Sequence, residues 1–276
     1  SNTENAAVLL ETALDQLGPY QPIKRVVALT KLGSLCMWRR ELTRASKYIR
    51  EAREIVGEDP AYRSERGHTL RGMAHLAHCH GDFAGATRMM GEAQSCFELE
   101  DNRFATASCI NDLGDLLRHQ GQLAESEALY RDALALFESV QAVDAVTARC
   151  NLGYVLIERG RYQEAQIMFR NLIDTAPSRE RQIDTLWILC GLLVCVAADK
   201  NWAEWDSLQE RVTVLASQGL VDEDLASACR LAAGLARRAG HYEKARWAYQ
   251  YALDHYERMD KPVDAGIVRD LLKDLG

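Results

Sequence analysis

His75 and Cys79 stand four residues apart, a spacing that puts an imidazole and a thiol on one helical face, where they could share a metal ion. His78 adjoins them, Asp115 or His119 could reach across from further along, and five of the seven histidines lie between 68 and 119. No second tight ligand pair accompanies these residues, and histidines on a wet polar face are far commoner than zinc sites. No metal is therefore assigned, and His75 with Cys79 stays a candidate only. His80 precedes Gly81 and reads as a cation at a helix C-terminus. Arg237 and Arg238, with Arg230 two turns earlier, could receive a carboxylate or phosphate, although arginines in a last helical turn also simply complement its dipole. Trp187 is a natural aromatic anchor for a partner. No glycine-rich phosphate loop, Gly-x-Ser-x-Gly elbow or His-Glu-x-x-His pair occurs, so neither enzymatic activity nor a cofactor is expected.

The elements that must position these residues repeat. Gly81-Asp82-Phe83, Gly121-Gln122-Leu123, Gly160-Arg161-Tyr162 and Gly240-His241-Tyr242 are copies of one punctuation mark, and Arg40-Glu41-Leu42 and Lys200-Asn201-Trp202 are weaker copies where the period predicts them. The steps are 41, 40, 39, 40 and 40 residues. A fixed period of this size signals stacked supersecondary units, each packed on its neighbours, which make a long surface rather than a pocket.

Each unit reads as two helices. Between Ala142 and Pro177, Val146, Leu152, Gly153 and Leu156 recur at helical spacing, Gly160 ends that helix, and Tyr162, Ala165, Phe169, Leu172 and Ile173 mark a second one before Pro177. Gly153 and Ala165 lack bulk where the helices cross, so Tyr162 and Phe169 can fill the space between layers. The same grammar pairs Leu32-Gly33 with Ala45, Ile49 and Ala52, and Met73-Ala74 with Ala86, Met90 and Ala93. It recurs for Leu113-Gly114 with Ser126, Tyr130 and Ala133, and for Ala232-Ala233 with Ala245, Tyr249 and Ala252. The fifth unit departs most: Leu193 replaces the small residue, Trp205 the alanine and Gln209 the aromatic.

This pattern resembles the tetratricopeptide repeat over residues 23–258, in the longer-helix variety found in bacterial signalling proteins. The resemblance implies an all-α, right-handed superhelical solenoid of about six helix-turn-helix repeats, fourteen helices and no strands. It also implies one domain over 1–276, with a partial repeat at 1–18 and a capping helix at 262–276. Ala6 to Leu17, ended by Gly18-Pro19, has the pattern of a second helix without its first, and Leu271, Leu272 and Leu275 would cover the last repeat. The opening Ser1-Asn2-Thr3 reads as the start of a segment cut from a longer protein.

In such arrays the first helices line a concave groove. His68, Arg71, His75, His78, Asn111, Asp115, Arg118 and His119 would form its polar stretch, Tyr154, Trp187 and Val194 an apolar centre, and Arg230, Arg237 and Arg238 a cationic end. Trp187 and Val194 read equally as core. The function expected is binding of a protein, as a peptide segment or partner helix. The alternatives are a small-ligand or metal sensor around His75 and Cys79, and a homo-oligomer formed through the apolar fifth repeat. The family's clamp for a C-terminal acidic peptide is not reproduced, because Thr30, Ser34 and Asp112 stand where Lys and Asn belong.

Composition bounds the rest. Hydrophobic residues at 47% and charged residues at 26% suffice for a core and a solvated surface. A formal charge of -7 disfavours nucleic acid as partner. The most apolar run, Leu186 to Ala198, falls short of the ~20 residues a membrane span needs. Eight cysteines without a Cys-x-x-Cys pair read as small buried hydrophobes in a reducing, cytoplasmic setting.

Overall fold

The computed structural model describes residues 2–18, 20–175, 182–216 and 220–275; Pro19 and Pro177, read above as helix-ending marks, lie outside them. Within these residues there are fourteen α-helices, one 3-10 turn (Pro60–Tyr62) and no strand. The helices sort into two compact units, Ser1–Val143 and Asp144–Gly276. The first holds α1 (Asn2–Gln16), α2 (Pro22–Trp38), α3 (Leu42–Val56), α4 (Arg63–Cys79), α5 (Phe83–Glu98), α6 (Arg103–His119) and α7 (Leu123–Ser139). The second holds α8 (Ala145–Glu158), α9 (Tyr162–Thr175), α10 (Gln182–Ala198), α11 (Trp202–Ala216), α12 (Glu223–Arg238), α13 (Tyr242–Arg258) and α14 (Pro262–Lys273). Even-numbered helices are first helices of the repeats and odd-numbered ones second helices.

All six punctuation marks turn the chain the same way. Gly81, Gly121, Gly160 and Gly240 have φ of 79, 76, 74 and 82°, and Arg40 and Lys200 take φ of 61 and 57°. Left-handed backbone at that position lets the next amide reach back to a carbonyl near the helix end. The bonds Glu41 N to Cys36 O, Asp82 N to Ala77 O, Gln122 N to Leu117 O, Arg161 N to Leu156 O, Asn201 N to Val196 O and His241 N to Ala236 O are all 2.8–2.9 Å.

The small residues leave room for the second-helix side chain. A Cβ on Gly153 would stand 2.5 Å from Phe169, as would one on Gly191 of the following first helix. Phe169 therefore wedges between glycines of two successive first helices, and Ile49 does the same between Gly33 and Gly72. At Ser126, where other repeats have alanine, the hydroxyl donates to Gly114 O at 2.8 Å. In the degenerate fifth pair Trp205 is fully buried and its indole N–H donates to Gln209 Oε1 at 2.8 Å, so the two unusual residues satisfy each other.

The apolar run of α10 is spent inside its own unit: Leu186, Ile188 to Cys190 and Leu192 to Ala197 are buried. At the chain's ends, α1 packs on α2 through Leu14, which lies against the Val26 and Leu29 cluster. Helix α14 packs on α13, with Ala265 and Val268 buried and the expected Leu271, Leu272 and Leu275 half-buried. No helix among the described residues is long and apolar enough to cross a membrane.

Candidate interaction groove

Helix α4 carries two faces because its sequence alternates small packed residues with polar ones at helical spacing. Gly67, Leu70, Gly72 and Ala74 are buried against neighbouring helices, and His68, Arg71, His75 and His78 follow one another at spacings of three and four on the opposite side. That side forms one wall of a groove of about 830 Å³ in the first unit. The other wall is the face of α2 bearing Val27, Lys31, Ser34 and Trp38, and Ala6 and Leu10 of α1 complete the lining. Trp38 is 66% exposed and Val27 41%, an unusual expense of apolar surface on one helix face.

Asp112 of α6 ties the polar wall together. Its Oδ2 accepts from Arg71 Nε at 2.5 Å and lies 3.0 Å from His75 Nε2. Burial by itself would raise this carboxyl, but the charges of Arg71 and His75 and their hydrogen bonds outweigh it and hold Asp112 well below the usual carboxylate range. His75 thus faces Asp112, and His78 sets its ring edge-on to Phe83 at 5.4 Å and to His119 at 5.0 Å. Among the described residues no group of three or more His, Cys, Asp and Glu side chains could hold a metal ion. The Cys79 thiol is raised by desolvation, which keeps it a poor ligand and nucleophile.

The other residues expected on α6 divide. Asn111 and Arg118 are buried, Asp115 accepts a short bond from the Tyr130 hydroxyl, and only His119 is exposed, its Nδ1 2.8 Å from Asp115 O.

In the second unit the expected apolar centre is interior. Val194 is fully buried and Tyr154 nearly so, with its hydroxyl donating to Trp187 O at 2.9 Å. Trp187 is half-buried and its indole N–H donates to Asp222 Oδ1 at 3.0 Å. The same carboxylate oxygen caps α12, accepting from the amides of Asp224 at 2.9 Å and Leu225 at 3.2 Å. Burial, and then the charge of Asp224, push the Asp222 carboxyl up to about 6. His255 Nδ1 lies 3.2 Å from both the amide nitrogen and the carbonyl oxygen of Asp222, so it bonds one or the other according to tautomer. Arg230 and Arg237 are half-buried and Arg238 is exposed, with Arg237 3.7 Å from Asp274.

Sequence reasoning missed Val27, Lys31 and Trp38. The signal was present: Trp38 stands two residues before the Arg40 mark, as Cys79, His119 and Arg238 do before theirs, which is the groove register.

A tetratricopeptide-repeat sequence profile matches residues 65–139 and, in an overlapping frame, 103–178. These are tetratricopeptide repeats. The tetratricopeptide fold, an all-α solenoid class, recurs in solved structures over nearly the whole chain. The apo form of RapI matches with a TM-score of 0.68 at 13% identity, covering 92% of this chain and 90% of its own. A Rap protein complexed with competence and sporulation factor matches at 0.63 and 11% identity, covering 98% and 78%. Cut9 in the APC/C hetero-tetramer Cut9-Hcn1 matches at 0.68 and 15% identity, covering 99% of this chain and 46% of its own. A search of curated proteins gives no match. At these identities the likeness is one of fold, and tetratricopeptide repeats of this kind form a scaffold for protein interaction.

Proposed function

We propose that the chain is a non-catalytic interaction module that seats a peptide segment or partner helix in the groove between α2 and α4. The observation that carries this reading is the exposed Trp38 and Val27 facing a wall of His68, Arg71 and His75 across a groove of about 830 Å³. Aromatic and arginine side chains in a concave site are the groups that supply most interface energy. The Rap protein solved in complex with competence and sporulation factor supports the reading that this fold accepts a bound partner. The seven buried cysteines suit a reducing cytoplasm, and a bacterial signalling scaffold is the setting proposed.

A random peptide library displayed and selected on the wild-type chain tests the proposal. Selected peptides should bind Trp38→Ala about tenfold more weakly, a loss of about 1.4 kcal/mol, with unchanged circular dichroism. Because Trp38 is largely exposed, the fold should tolerate its removal. Equal affinity for the two chains would place the binding surface elsewhere.

A further inference from the structure

The lining of the α2–α4 groove is one-sided in charge. Among the residues whose side chains are described, its ionisable members are Lys31, His68, Arg71, His75, His78 and Cys79, with no Asp or Glu, in a chain where 40 acids outnumber 33 Lys and Arg. Lys31 is exposed and makes no ion pair among the described side chains. The hydroxyls of Thr30 and Ser34 beside it fold back onto carbonyls of their own helix, which leaves Lys31 as the charged group of that wall. Across the groove Arg71 and His75 already hold a carboxylate, that of Asp112, which reaches them from the next first helix with only 10% of its side chain exposed.

We propose that Asp112 is a built-in carboxylate occupying the cationic wall, and that the groove's occupant is a protein segment bringing carboxylates of its own along one edge and an apolar side along the other. This rests on the groove reading above. The apolar side lies on Val27 and Trp38, which are eleven residues apart and share one face of α2. The acidic edge meets Lys31 and Arg71, and Asp112 sets the affinity by competing for Arg71. Long-range attraction between an acidic segment and this wall adds rate and selectivity, and it is screened by salt.

The peptides selected on the wild-type chain separate this inference from the reading beneath it. Sequences lost in Trp38→Ala should be enriched about twofold in Asp and Glu over the unselected library. They should bind Lys31→Glu about tenfold more weakly, and high salt should remove that difference. In Asp112→Asn, which keeps the side chain's shape, they should bind about threefold more tightly. Groove-dependent peptides without acid enrichment, or indifferent to Lys31→Glu, would overturn the inference while leaving the groove standing. Peptides that bind Trp38→Ala as well as wild type would overturn the groove itself. Unchanged or weaker binding by Asp112→Asn with native circular dichroism would remove Asp112 from the competition. Lys31 and Trp38 are both exposed, so their variants report on binding even if Asp112→Asn fails to fold.

Discussion

Asp112 in the first unit and Asp222 in the second each lie between helices, and the two have opposite electrostatic fates. Asp112 in the first unit faces Arg71 and His75, and its carboxyl is held down. Asp222 in the second unit faces Trp187, two backbone amides and the neighbouring Asp224, and its carboxyl is pushed up to about 6. Neutral donors stabilise an anion less than a guanidinium does, and they cannot offset burial beside a second acid. The same helix-pair grammar therefore produces a fixed charge in one unit and a titrating group in the other. The fixed charge is next to a groove. The titrating one is an internal cap.

The largest effect expected is on removing the cation that holds Asp112. Arg71→Met should cost about 3 kcal/mol at neutral pH, because it leaves a buried carboxylate with His75 as its remaining partner. Urea denaturation would read the loss, and adding Asp112→Asn should recover most of it, since the cycle then removes both charges. A cost below about 1 kcal/mol would mean that solvent already shares in stabilising Asp112.

The two aspartates should also respond to pH with opposite sign. Asp112 has a folded value below its unfolded one, so its contribution is present above about pH 4 and is lost as pH falls further. Asp222 has a folded value of about 6, above the ordinary 3.8, so it favours the folded state at low pH and that advantage disappears as pH rises from about 4 to 6. A shift of about two units corresponds to at most about 3 kcal/mol, and to less once water reaches the site. Hydrogen-exchange protection of α12, read at pH 5 and pH 8, should favour pH 5 by about 1 kcal/mol, because part of the advantage is already lost at pH 5. Asp222→Asn should abolish the difference while keeping the cap and the bond from Trp187. Persistence of the difference in that variant would take it away from Asp222, and His255 could not supply it, because burial holds its imidazole down and so favours pH 8 over pH 5.

What the sequence disclosed of this comparison was uneven. The turn marks and the small-residue grammar were legible because their periodicity repeats six times and a glycine under an aromatic has few other uses. The polar face of α4 was legible for the same reason, since His68, Arg71 and His75 fall at helical spacing on a face whose opposite side is glycine and alanine. Helix α10 was not. It is apolar all round, so periodicity could not tell a groove-facing Trp187 and Val194 from core ones, and both readings had to stand. The partnership of Asp112 with Arg71 spans 41 residues, one repeat period, and needs the register between successive first helices that a single sequence does not fix. A variant set built on Trp187 would have mixed binding with stability, because that indole bonds a buried cap; Trp38 separates the two.

The smallest effect expected tests whether the shared grammar, rather than the local charge, is the common frame of the two units. Arg40 in the first unit and Lys200 in the second hold φ of 61 and 57°, where the four other marks use glycine. A side chain in left-handed backbone costs roughly 1 kcal/mol relative to glycine, through the approach of Cβ to the following carbonyl. Glycine gives part of that back, because it has more freedom to lose from the unfolded chain. Lys200→Gly should therefore stabilise the protein by about 0.5 kcal/mol, and Arg40→Gly should gain less, since Arg39 and Arg44 already pair with Glu41 at that turn. Lys200→Ala is the control: it removes the same charge and keeps the strained Cβ, so it should gain nothing. If alanine stabilised as much as glycine in thermal denaturation, the lysine's charge would be the burden at this turn. The left-handed backbone would then be no constraint that the two units share.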